Sequence, residues 1–291
     1  MMNAAENVAN KGYLFENFRL FHLKDRRAQQ VETHYHEFHK ILVFYSGNVE
    51  YIIEGVVYSP QAGDILFVPA NAIHKPLISA EEDYERAVFW VRPSYLEAIS
   101  GEDANVGECF DVSSARRACL YHPEEESQSR IKKLIAGLER TMGEERFGSR
   151  LLADSLFLQL MIEFNRCVLE EKPARAGSID PKIEEAINYI NKNLAMDLSV
   201  DALAGMCYLS RYYFMRRFKE STGYTVHNYI CQKRLTAAAR LLEEGEGITE
   251  AAMSVGFSEY SSFLRSFKKL FGLTPSEYLV RKGELSSSYG E

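Results

Sequence analysis

In the last third of the chain apolar residues return every three to four positions, the spacing that predicts short amphipathic helices. Val200, Leu203, Ala204 and Cys207 form one such stripe, and Ser199 before them can cap its start. Ala204 is small enough to let a second helix cross closely. That second helix is predicted to start after Ser210. Its Phe214 and Phe218, four apart, face the core, while Arg211, Tyr212, Met215, Arg216 and Lys219 fall on the other side. Gly223 ends it, as the residue that tolerates a left-handed backbone. Farther on, Ile248, Ala251, Ala252 and Val255 predict another supporting helix and Gly256 a tight turn. Ser258 is expected to cap a helix with Phe263 and Phe267 inward and Tyr260, Ser261, Leu264, Arg265 and Lys268 outward. Between the two pairs, Asn228 to Glu244 reads as one helix of about 17 residues and ~25 Å, buried along Leu235, Ala238, Leu241 and Leu242.

This pattern is a repeat. Residues 212–230 recur as 261–279, a period of 49, and Phe214, Arg216, Phe218, Lys219, Gly223, Thr225 and Tyr229 meet their own kind in the second copy. A short helix, a turn and a basic helix, twice over, is the order of paired helix-turn-helix units, which the intervening helix can hold near the ~34 Å spacing of successive major grooves. The solvated face of an ordinary bundle would account for one basic helix, but not for two in register. Arg216 and Arg265 stand at equivalent positions where an arginine can pair with guanine, and Lys219 and Lys268 are expected to meet phosphate. Double-stranded DNA is the expected partner.

The first 120 residues alternate differently. YIIEGVVYSPQAGDILFVPANAIHKP is a series of short apolar runs broken by Gly, Pro, Asn and Asp, which predicts a small antiparallel β-barrel or sandwich. Residues 126–171 return to helical spacing and read as two helices. In the second, opened by Ser149, Leu152, Leu156, Leu160 and Phe164 form a stripe that Leu151, Phe157, Leu158, Met161, Ile162 and Val168 widen. Such breadth predicts burial on two sides, one against the barrel and one, through Leu156 and Leu160, against a second subunit. KPARAGSID (172–180) reads as a linker, with Asp180 as cap and Pro181 at the first helical position. The expected fold is therefore α+β in two domains: a β-barrel over 1–125, a helical dimerisation region and linker over 126–180, and an all-α DNA-binding domain over 181–283.

Residues 180–283 resemble the C-terminal DNA-binding domain of the AraC/XylS family of bacterial transcription regulators, above all in GFSEYSSFLRSFKKLFGLTPSEYL. One departure is Tyr208, in the first turn, where glycine is the common choice and a left-handed residue would cost about 1 kcal/mol. HYH at 34–36, then GDILFVP and His74, resembles the cupin barrel that serves as sensor in this family, over roughly residues 20–92. Cupin enzymes hold a divalent metal with the two His of HxH, a Glu four residues later and a further His. His34, His36 and His74 match the imidazoles, but Lys40 stands at the Glu position, on the same side of its strand by alternation, and would repel a cation. His39 has the wrong parity to replace that Glu. Neither metal nor cofactor is expected.

The same groups suit an anion. Lys40 with His34, His36 and His74 could receive a carboxylate, a sugar or a sugar acid, with Tyr45 and Tyr51 as walls; the alternative is that the histidines simply bond across the barrel. The resemblance implies an effector-controlled, dimeric regulator working with RNA polymerase. The rival is a metal-dependent cupin enzyme fused to DNA-binding helices, against which Lys40 counts. No catalytic constellation stands out in either domain.

Charge refines this picture. The net charge of −7 divides into +3 over residues 181–283, with 14 Lys+Arg and 11 Asp+Glu, and −10 over the rest. Phosphate neutralisation is a local requirement, so the basic domain is competent and the acidic one limits non-specific DNA affinity. No run of 18 apolar residues occurs, MMNAAENVANKG lacks an apolar core, and the five cysteines form no CxxC pair. A cytoplasmic protein with reduced thiols and no membrane association is expected.

Overall fold

A computed structural model describes residues 14, 16–26, 34–79, 83–174 and 180–287; the N-terminal stretch 1–13 and most of the expected linker, 175–179, lie outside them. The chain divides into two compact units, Met1–Ser178 and Ile179–Glu291.

Among the described residues the first unit carries eight strands: β1 (Phe18–Asp25), β2 (His39–Ser46), β3 (Val49–Ile53), β4 (Val56–Tyr58), β5 (Ile65–Val68), β6 (His74–Ile78), β7 (Tyr84–Val91) and β8 (Leu120–Tyr121). They form two antiparallel sheets, one ordered β1-β7-β2-β5-β8 and one β4-β3-β6. Among the described residues the helices of this unit are α1 (Pro93–Ile99) and α2 (Glu108–Arg116), which precede β8, and α3 (Glu125–Met142) and α4 (Ser149–Glu170), which follow it. Strand alternation divides the larger sheet between two environments. Ile41, Val43, Phe67 and Phe89 join a core with Ile135, Phe157 and other residues of the helices. Their neighbours Lys40, Leu42, Val68 and Trp90 occupy the opposite face. Burial on both faces is why β2, β5 and β7 read as nearly continuous apolar runs.

Helix α4 has the wide apolar face expected of it, but the second cover is α3 of the same chain. Leu160 is 0 % exposed within the core, and Leu156 is partly buried against it. Neither is therefore an outward anchor for a second subunit. The outward apolar residues are Leu151 and Leu152, near Phe147 and Met142 at the turn between the helices, with Ile162 and Leu169 farther along.

The second unit is helical: α5 (Pro181–Lys192), α6 (Val200–Met206), α7 (Arg211–Thr222), α8 (Val226–Glu243), α9 (Ile248–Ser254), α10 (Tyr260–Phe271) and α11 (Pro275–Ser287). Helices α7 and α10 begin and end at the same points of the 49-residue period. Each closes on a left-handed glycine, Gly223 (φ 78°) and Gly272 (φ 71°), whose N–H donates to Lys219 O at 2.8 Å and Lys268 O at 2.9 Å. Side-chain caps at Asp180, Ser199 and Thr225 start α5, α6 and α8. Thr225 accounts for α8 starting two residues before Asn228. Glu259, not Ser258, precedes α10 at the cap position, because the second turn is one residue longer than the first. Tyr208 and Gly256 occupy equivalent places: their N–H groups reach Gly205 O and Met253 O, and both are left-handed, at φ 53° and 94°. Tyr208 is left-handed without being glycine, and its side chain is 90 % exposed.

Candidate DNA-binding and ligand-binding sites

Each helix-turn-helix unit stands on a phenylalanine pair. Phe214 and Phe218 in α7, and Phe263 and Phe267 in α10, are fully buried, and their ring centroids lie 5.7 and 5.4 Å apart. Anchoring one side of a helix fixes what the other presents. On α7 the structure leaves Arg211, Tyr212, Met215, Arg216 and Lys219 exposed; on α10 it leaves Tyr260, Ser261, Arg265 and Lys268 exposed. Leu264 differs, being partly buried against the core of its unit.

The cations of the two helices are not equally disposed. Arg211 is ion-paired to Asp201 of α6. Arg216 Nε lies 3.8 Å from Glu220 Oε1, and Arg217 reaches Glu220 at 3.4 Å and Asp180 at 3.3 Å. Arg265 Nε meets the carbonyl of Ser261 in its own helix at 3.4 Å.

In the first unit the histidines converge at one end of the two sheets. His34 and His74 exchange backbone hydrogen bonds, and their rings lie 4.4 Å apart, with His36 at 4.8 Å from His74 and 6.2 Å from His34. His36 Nδ1 donates to Phe38 O at 2.6 Å and His74 Nδ1 to Ala72 O at 2.9 Å. A carbonyl only accepts, so in each neutral ring Nδ1 carries the proton and Nε2 is left as an acceptor. Both Nε2 atoms are buried and have no hydrogen-bond partner among the described residues, and the same holds for Trp90 Nε1. Burial above all holds His36 and His74 well below the usual histidine range, helped by Lys40 and the His34 ring at His36 and by the His36 and His34 rings and Lys40 at His74.

Lys40 pairs with Trp90 of β7 and Val68 of β5 in the register of the larger sheet. Burial and the Arg86 guanidinium pull its ammonium down to about 8. Arg86 is itself buried, ion-paired to Asp25, and stacked 4.0 Å above the ring of Tyr84. The Tyr84 hydroxyl lies 2.8 Å from that of buried Tyr51 on β3. Lys40, the histidines, Arg86 and Tyr51 thus share one polar interior.

Tyr45 does not belong to it. Five residues beyond Lys40, it points with Ile41 and Val43 to the helix side, where it stacks on His22 at 5.3 Å. His39 is likewise outside, stacked 3.9 Å from Phe110 of α2 and accepting from the Ala70 N–H at 3.0 Å.

Comparison with known proteins matches both halves. A family described as a helix-turn-helix domain matches residues 203–281, and the AraC-like ligand binding domain matches residues 20–161. The chain belongs to the AraC family. The HTH-type transcriptional activator RhaS of Shigella sonnei is 24 % identical over 258 residues, covering 86 % of this chain and 87 % of the relative. RhaS of Escherichia coli O9:H4 matches to the same extent. Among solved structures, the DNA-binding domain of AdpA in complex with a target DNA is 26 % identical, covering 38 % of this chain and 98 % of that one, at a TM-score of 0.35. ToxT of Vibrio cholerae with unsaturated fatty acid bound is 14 % identical, covering 90 % and 94 %, at 0.37.

As an AraC-family regulator the protein has a DNA-binding unit and a ligand-binding unit, with α7 and α10 in the first and the histidine–lysine interior in the second. Arg86, Asp25 and Trp90 were not foreseen as parts of that interior. The signal for Arg86 and Trp90 in the sequence is the alternation within YERAVFWV, which becomes legible once β7 is known to pair with β2; Asp25 joins them only through the pairing of β1 with β7.

Proposed function

We propose that this AraC-family regulator is a transcription activator whose first unit binds a small hydroxylated acid, such as a sugar acid. The observation that carries this reading is the nearness of two buried, unsatisfied imidazole acceptors to the ammonium of Lys40, a partly buried residue. A buried acceptor without a partner costs about 1–3 kcal/mol, a debt that a ligand hydroxyl removes. A carboxylate would remove the matching cost of Lys40. A ligand with both groups satisfies the whole set, whereas a metal cation would meet Lys40 as a repelling charge. The rival reading as a metal-dependent enzyme is weaker for that reason.

Arg216 and Arg265 are the proposed readers of base edges, and Lys219 and Lys268 the proposed phosphate contacts, flanked by Arg211, Tyr212, Met215, Tyr260 and Ser261. A homodimer is proposed to form through the exposed Phe147, Leu151 and Leu152, placing four such helices on a promoter beside RNA polymerase. No helix among the described residues is long and apolar enough to cross a membrane. A cytoplasmic site of action is proposed from the DNA-binding unit, which must reach a promoter.

A thermal-shift screen that sets neutral sugars, the corresponding sugar acids and simple carboxylates side by side tests the ligand class. Sugar acids should stabilise the unmodified protein most, and Lys40→Met should abolish that preference while leaving DNA binding measurable. Stabilisation by neutral sugars alone, equal in both proteins, would refute an anionic ligand.

A further inference from the structure

Arg216 and Glu220 each sit two residues from two buried positions of α7: Arg216 from Phe214 and Phe218, Glu220 from Phe218 and Thr222. Two residues turn a helix by about 200°, so these two side chains point most directly away from the core, and both are exposed. The repeat places Arg265 and Lys269 at the corresponding points of α10, with Phe263, Phe267 and Phe271 buried. One recognition helix therefore leads with Arg and Glu, the other with Arg and Lys.

A carboxylate at that point is a poor choice for a helix that only needs to hold DNA, since it faces the phosphates with the wrong sign. It is a good choice for reading a base. The exocyclic amine of cytosine is a donor in the major groove, and Glu is a side chain that accepts from it. Glu220 is also held upright: one oxygen lies 3.8 Å from Arg216 Nε and the other 3.4 Å from Arg217 Nη1, and Arg217 is tied in turn to Asp180. Lys269 stands where that acidic link would be in α10.

We infer that Glu220 is a specificity-determining residue, accepting a hydrogen bond from a cytosine amine beside the guanine that Arg216 reads. Its counterpart Lys269 makes α10 the more salt-dependent, less selective anchor. This rests on the reading that α7 enters a major groove.

The test uses the full-length protein and duplexes that the unmodified protein selects from a random library. Affinities for every single-base variant of the selected duplex, and for a scrambled duplex over a range of salt, are measured for Glu220→Gln, Glu220→Lys and Arg216→Ala. Circular dichroism checks that each variant is folded. Glu220→Gln should lose roughly 5- to 150-fold of preference at one cytosine, with the preference moving toward adenine, which Gln pairs well. Glu220→Lys should bind the scrambled duplex more tightly and steepen the log–log salt slope by about 0.9, one added phosphate contact. Unchanged preferences in Glu220→Gln would overturn the proposal. So would a loss confined to the guanine position that Arg216→Ala also loses, since Glu220 would then only prop Arg216. If Arg216→Ala itself alters no base preference, the placement of α7 in the groove fails as well.

Discussion

Replacing Lys40 with methionine isolates a large electrostatic cost in the ligand-binding unit. Burial and Arg86 lower the Lys40 ammonium from 10.5 to about 8 in the folded chain. At about 1.4 kcal/mol per unit, the charged form costs the folded state about 3 kcal/mol relative to the unfolded one. The direction with pH follows from proton counting. Below pH 8 the amine is charged in both states and the whole cost is present. Between pH 8 and 10.5 the unfolded chain keeps a proton that the folded chain has shed, so stability rises; above 10.5 the cost is gone. Lys40→Met, which keeps the length and loses the charge, should gain up to about 3 kcal/mol at pH 7 and roughly 6–12 °C in the melting of this unit. It should also lack the rise between pH 8 and 10.5. The chain has one tryptophan, Trp90, paired with Lys40 across the sheet, so urea unfolding followed by its fluorescence reports on this unit selectively. Stability curves of the two proteins that run parallel from pH 7 to 10 would show that Lys40 is not paying this cost. An anionic ligand should reverse the shift and draw in a proton on binding near pH 8. Calorimetry in buffers of different ionisation heat measures that uptake directly.

Three further outcomes follow from named contacts. Lys40→Glu replaces a repelling charge with a carboxylate beside His36 and His74, so titration with Zn²⁺ should show higher affinity than in the unmodified protein; equal affinities would place residue 40 outside the site. Leu160→Glu puts a charge into the core and should unfold the first unit, whereas Leu151→Glu should leave the fold intact and, if the exposed patch joins two copies, give monomers by light scattering. Tyr208→Gly should raise the stability of the second unit by about 0.5–1 kcal/mol, the left-handed strain exceeding the entropy lost; a destabilised variant in chemical unfolding would show that the exposed ring makes a contact of its own.

The DNA-binding unit was legible because one helical period sets both its buried and its exposed faces, and because the pattern is repeated. What escaped was local: α8 starts at Val226, Leu264 is partly buried, and supporting elements repeat at 48 from Tyr208 to Gly256 but basic helices at 49, which moved the cap from Ser258 to Glu259. In the barrel, alternation correctly placed Lys40 with His36 and His39 on the other face. Applied as strictly to Tyr45, an odd number of residues from Lys40, it would have put that side chain with the helices too. Arg86 and Asp25 could not be found this way, since their neighbours depend on which strands pair and in what register. Leu160 was misplaced for a similar reason: the width of an apolar face shows that two partners exist, but not that one of them is α3 of the same chain.

Strand β2 is a wall one peptide thick. Lys40 lies on its inner side and His39 on its outer side, joined by a single planar amide, so a backbone shift at either residue carries the other with it. His39 bears on Phe110, and the adjoining Cys109 N–H is held by Asn165 of α4 at 2.7 Å. A ligand that shifts the strand through the lysine therefore pulls, two side chains later, on the helix α4. Occupancy should accordingly be readable as slowed amide exchange in α2 and α4, far from any atom that the ligand touches, and unchanged exchange there would show the wall to be rigid.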